Sequence, residues 1–218
     1  MNKPQPELSW ELADIRDPMI FSLVLYEEPA LFLEIMNLFY PDEGLQRIRE
    51  MKISLADVLH GSRSDPAFKA IAETDTEEVT LWLDYIRELN EEKEEDYRGR
   101  SLKEEQKKEG KTLNLTLCRS DPFQCGKPVM RLLLRSEDLC PDEPEHWIIE
   151  GVLVSLHEET EAEDPNQQKL IRYLQEGIAE GELCTKIEET VHKVRENDEW
   201  RMLYLEEKAY RDYMTQNI

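Results

Sequence analysis

A chain of 218 residues is long enough for one hydrophobic core with an appendage and short for two independent domains. With 39% hydrophobic and 35% charged residues it is expected to fold rather than stay disordered. The net charge of -22 argues against nonspecific binding to duplex DNA, itself a polyanion, and no apolar run approaches the roughly 18 residues that cross a bilayer.

The opening MNKPQPELSWEL has neither the basic nor the apolar region of a signal peptide, so a cytoplasmic setting is expected. From Asp14 to Tyr40, Ile20, Leu23, Val24, Leu31, Ile35, Leu38 and Phe39 recur at helical spacing, and Pro29 splits the run into two helices. Pro41 and Gly44 end it. Arg47 to Leu59 reads as a strand or a loop, and GSRSDP from Gly61 to Pro66 as a turn. Ala67 to Glu73, the turn TDTEE and Val79 to Ile86 form a hairpin by their β-branched and aromatic content.

Residues 88–111 are dominated by Glu, Lys and Arg with little to bury, a solvated helix or a disordered loop. Three more strands follow: Thr112 to Cys118, Val129 to Arg135 and Trp147 to Leu156. The last third turns helical, with Leu170, Ile171 and Leu174 on one stripe and Leu183, Ile187, Val191 and Val194 on the next. An amphipathic segment carrying Trp200, Leu203, Tyr204, Tyr210 and Tyr213 closes the chain. The result is an α/β (α+β) domain with a mixed sheet, N-terminal helices and a helical C-terminal tail, divided into a core, 1–165, and an extension, 166–218.

Three segments carry a resemblance. Tyr173-Leu174 and then TKIEETVHKVRENDEWRMLYL, with Asn197-Asp198-Glu199-Trp200-Arg201 as its signature, resemble the closing helix of transposase-associated PD-(D/E)XK nucleases, which bear a NEEWR-like string. CRSDPFQCGKPVM, with Asp121-Pro122-Phe123 and Gly126-Lys127-Pro128, is similar to the DPFGKGRPIY-like text of the same family. Asp17-Pro18-Met19-Ile20-Phe21 resembles its DDFMF-like opening. The likeness implies a restriction-endonuclease-like core in which two carboxylates hold Mg²⁺ beside a Lys or Gln that positions water.

Laid without gaps over Ala67 to Tyr85, the family pattern puts Lys69 at the Asp position, Leu83 at the Glu position and Tyr85 at the Gln position. An ammonium repels a dication and a leucine cannot coordinate one, so no catalytic, cofactor-binding or metal residue is assigned. Lys69 is then expected to be solvated or salt-bridged. Rescue candidates are Asp75 and Asp84, with Glu91 and Lys93 as an E-x-K string; a one-residue slip that recruits Asp84 turns every side chain to the other sheet face.

His60, His146, His157 and His192 have no ligand-like spacing, and with 8 glycines no phosphate-cradling loop exists. His157-Glu158-Glu159 reads as a surface acid cluster. Cys118, Cys125, Cys140 and Cys184 are scattered and expected to be free thiols.

The leading expectation is a catalytically degenerate, mobile-element-related nuclease fold that works by binding a protein partner or itself, with no cofactor. Its contact surfaces are expected around Trp200, Tyr204 and Tyr210 or in Glu91 to Asp96, with no membrane involved. Arg195, Arg201, Arg211, Lys186, Lys193 and Lys208 leave open a basic helix face, so DNA binding is disfavoured by charge without being excluded. The alternatives are an active Mg²⁺-dependent DNA endonuclease with migrated ligands and an acidic DNA mimic that occupies a basic protein.

Overall fold

The computed structural model describes residues 10–53, 67–86, 110–119, 126–135, 147–157 and 161–216. The expected turn Gly61 to Pro66 and most of the charged segment 88–111 lie outside these residues.

The first two helices, α1 (Pro18–Glu27) and α2 (Pro29–Phe39), start from local chemistry. Asp17 caps α1, its Oδ1 accepting the Met19 amide at 2.8 Å, and Pro18 occupies a first-turn position where no amide donor is missed. Pro29 forces Glu28 out of the helical region (φ -134°, ψ 79°), which separates the helices where expected. Residues Pro18 to Leu25 are all buried, so α1 is a core helix rather than an amphipathic one.

Six strands follow: β1 (Arg47–Ile53), β2 (Ala67–Glu73), β3 (Glu78–Ile86), β4 (Gly110–Cys118), β5 (Val129–Arg135) and β6 (Trp147–Ser155). They form one mixed sheet in the order β1-β2-β3-β4-β6-β5. The first three make an antiparallel meander, β3, β4 and β6 run parallel, and β5 returns antiparallel at the edge. Strand β4 begins at Gly110, inside the segment expected to lack strand. Lys111 is tolerated there because its ammonium reaches Glu43, at 2.5 Å, and Glu150, at 3.1 Å, at the sheet's end.

Three helices close the chain: α3 (Pro165–Glu176), α4 (Glu182–Glu196) and α5 (Asp198–Gln216). Asp164 caps α3 through the amides of Asn166 and Gln167, and Gly177 ends it in the left-handed region at φ 77°. Tyr173, Ile187, Val191, Val194 and Tyr204 belong to the same hydrophobic cluster as Phe21, Phe68, Leu83 and Leu115, so helices and sheet share one core. No described helix is long and apolar enough to cross a membrane.

Period-two alternation divides the sheet into two faces. The core face carries Phe68, Ala70 and Ala72 from β2, Val79, Leu81, Leu83 and Tyr85 from β3, and Leu113, Leu115 and Leu117 from β4, all buried. The opposite face is polar, with Lys69, Thr80, Trp82, Asp84, Thr112, Asn114 and Thr116.

Candidate functional site

The β2–β3 hairpin holds the positions that the sequence nominates for chemistry. Its loop is closed by Thr74, whose amide donates to the Glu77 carbonyl at 2.9 Å and whose hydroxyl accepts the Glu77 amide at 3.1 Å. This short loop sets the register Ala67↔Asp84, Phe68↔Leu83, Lys69↔Trp82. Lys69 and Leu83 therefore point to opposite faces and do not meet.

Leu83, fully buried, lies opposite Phe68 on the core face. Tyr85 is on that face too, stacked on Phe21 at 5.1 Å, with its hydroxyl donating to the Arg16 carbonyl at 3.3 Å. Lys69, half-buried on the polar face, holds its ammonium 4.3 Å from the centroid of the Trp82 ring. It was expected to be solvated or salt-bridged; it is partly exposed, and an indole faces its charge.

The gapless alignment sets Lys69 and Leu83 together, and this hairpin does not. The residue opposite Lys69 is Trp82, and the next residue on that face is Asp84. A signal for this was present in VTLWLDYI, where Val79, Leu81, Leu83 and Tyr85 alternate with Thr80, Trp82 and Asp84. Across the sheet one lateral row reads Lys69, Trp82, Asn114, Gly151. Asn114 is buried and its Oδ1 accepts from the Thr116 hydroxyl at 3.4 Å. The Trp82 indole N–H is buried with no acceptor among the described residues; a buried donor left so costs about 1–3 kcal/mol.

One carboxylate, Asp84, beside an ammonium and an indole does not fit a two-carboxylate Mg²⁺ site. The rescue pair of Asp75 and Asp84 also fails on distance. Asp75 sits in the loop, accepting from the Gln46 side-chain amide, while Asp84 lies near the far end of β3. At about 3.3 Å per residue the two are on the order of 20 Å apart, whereas ligands of one hard cation sit within about 2–2.6 Å of it. Glu91 and Lys93 lie outside the described residues. Among the described residues no group of three His, Cys, Asp or Glu is placed to hold a metal.

The tail signature has a structural role. Asn197 caps α5, its Oδ1 accepting the amides of Glu199 at 2.9 Å and Trp200 at 3.4 Å. The Trp200 indole donates to Glu27 at 2.6 Å and its ring meets Tyr26 edge-on. Tyr204 is buried against Trp10, and its hydroxyl donates to Asp17 Oδ2 at 3.1 Å. Asp17 thus caps α1 with one oxygen and holds the tail with the other, joining the two ends of the chain.

Tyr204 is accordingly a core residue and not the exposed anchor expected of it, and Trp200 already has partners within the chain. The tail packs inward because a docked aromatic face buries apolar area that would otherwise meet water. No side-chain surroundings are described for Tyr210 or Arg211. Of the cations that left a basic helix face open, Arg195 donates to the Ala13 carbonyl, at 2.8 Å from Nε, and Lys186 pairs with Glu34 and Glu182, both at 3.1 Å.

Cys118 and Cys184 are buried, reduced cysteines, and burial pushes the Cys184 thiol up, away from a nucleophilic thiolate. Cys125, Cys140 and the Glu91–Asp96 cluster lie outside the described residues, as do Glu158 and Glu159; His157 is exposed. A surface cleft of about 440 Å³ is lined by Glu34, Asn37, Lys169, Glu182 and Cys184, away from the hairpin.

No protein-family model matches this chain, and no curated protein or solved structure compared with it matches either.

Proposed function

We propose that this chain is a catalytically degenerate protein with a PD-(D/E)XK-like nuclease fold, related to mobile-element nucleases, that acts by binding a protein partner or itself. The observation that carries the reading is the pairing of Lys69 with Trp82 across the hairpin. Metal-assisted phosphodiester cleavage needs paired carboxylates there, to lower the pKa of bound water and to offset charge on the attacked phosphate. A lysine ammonium opposes a dication at that spot, and an indole offers it no lone pair.

The contact between Asp17 and Tyr204 adds support, because it joins two segments that carry the resemblance. Two buried, reduced cysteines suit a reducing compartment and so a cytoplasmic setting. The charge of -22 favours a protein partner over nucleic acid.

The test is plasmid nicking by the full chain with Mg²⁺ or Mn²⁺. The expected result is intact supercoiled plasmid at every metal concentration. Metal-dependent nicking that disappears in a folded Asp84→Ala variant would overturn the reading and restore an enzyme built around that carboxylate.

A further inference from the structure

We propose that the outer edge of strand β5 docks an extended acidic segment of a partner protein, which adds to the sheet with carboxylates near Arg131 and an apolar side chain against Leu133. Strand β5 ends the sheet and has β6 as its one strand neighbour among the described residues. The register Arg131↔Val152 and Leu133↔Glu150 puts Arg131 and Leu133 on the face that carries the helices. There Leu133 is 50% exposed, whereas Val152 on the next strand is 2% exposed.

Arg131 is anchored but not satisfied. Its Nη2 donates to the Phe39 carbonyl at the end of α2, at 3.1 Å, and among the described residues it pairs with no carboxylate. That is notable in a chain with 49 Asp and Glu. A guanidinium has five N–H donors in a fixed fork, so one contact orients it and leaves donors for a carboxylate. The strand itself, VMRLLLR, holds two arginines and no acid.

Charge selects the occupant. The other sheet edge, β1, reads RIREMKI, with two arginines and a lysine to one glutamate, so joining two copies edge to edge brings together two edges of net positive charge, which is destabilising. The β1 arginines are neutralised within the sheet, Arg47 by Glu73 at 2.8 Å and Arg49 by Glu78 at 2.9 Å. Among the described residues Arg131 has no such partner. A nucleic acid would use the arginine but not Leu133 or the strand's backbone groups, while an acidic β-strand uses all three.

This site gives the binding reading a surface, but it does not depend on the loss of catalysis; nicking tests that loss, and peptide titration tests this site. The probe is a short fluorescent peptide in which glutamate alternates with valine around a central leucine, titrated with the full chain and followed by anisotropy. Saturable, salt-weakened binding is expected, reduced about ten-fold or more by Arg131→Glu and by Leu133→Asp, with circular dichroism unchanged. Arg131→Gln and Leu133→Thr give milder losses and guard against misfolding of the harsher variants. No saturable binding to the wild type, equal binding of the variants, or equal binding of a lysine-for-glutamate peptide would overturn the proposal. So would displacement of the peptide by duplex DNA, or a wild-type dimer that Leu133→Asp dissociates.

Discussion

Alanine at position 83 and alanine at position 69 should differ in stability by several-fold, because the two side chains lie on opposite faces of one hairpin. Leu83 is fully buried in the core cluster opposite Phe68. Its truncation loses transfer free energy and leaves a cavity, together about 2–5 kcal/mol. Lys69 is half-buried and its main contact is the Trp82 ring, worth about 0.5–1 kcal/mol. With a urea m-value of about 2–3 kcal/mol/M, Leu83→Ala should lower the unfolding midpoint by roughly 0.7–2.5 M and Lys69→Ala by a few tenths. Tryptophan fluorescence and far-UV circular dichroism, followed together, establish whether the transition is two-state. Equal shifts, or a larger shift for Lys69→Ala, would refute the face assignment and with it the pairing of Lys69 with Trp82. The same geometry predicts that Leu83→Glu, which restores a ligand in the gapless alignment, prevents folding by burying an unpaired carboxylate.

The clasp between the chain ends is testable by a double-mutant cycle. Asp17→Asn keeps the cap on α1 but turns the acceptor facing Tyr204 into a donor, so with Tyr204→Phe it should show a coupling of about 1 kcal/mol; independent effects would deny the contact. Asn197→Ala should cost about 1 kcal/mol by uncapping α5, with Asn197→Asp or Ser restoring most of it in thermal melts. Tyr173 gives a pH signature: burial, and then its 2.5 Å bond to Glu188, raise its hydroxyl well above the ordinary phenol range. With a folded pKa above the unfolded value of about 10, the stabilisation is complete below that pH and is lost as pH rises through it toward the folded value. Melting temperature should therefore fall more steeply above about pH 10 in the wild type than in Tyr173→Phe; parallel profiles would contradict the bond to Glu188.

The secondary structure was legible because its signals are local. Pro29 divides the first helices by its effect on Glu28, Asp17 and Asp164 cap with their own side chains, and Val79 to Tyr85 alternate as a half-buried strand does. Which side chains share a face of the hairpin was not legible, for an equally physical reason. An alignment carries spacing along the chain but not the length of the loop, and one residue in the loop decides which side chains share a face. The same limit made Tyr204 look like an exposed anchor: an amphipathic helix shows that it has an apolar face, but not whether that face meets its own domain.

By itself the sequence determined the element order, the mixed α/β class and the alternation that sorts Leu81, Leu83 and Tyr85 from Trp82 and Asp84. These follow from backbone sterics and from the periods of helix and strand, which act over a few residues. Only the tertiary structure decided that Lys69 faces Trp82, that Asp17 is shared between the α1 cap and Tyr204, and that Arg131 reaches the Phe39 carbonyl at the sheet's edge. Each is a pairing of residues on separate elements. Such pairings depend on loop length, register and strand order, which are settled when the core closes.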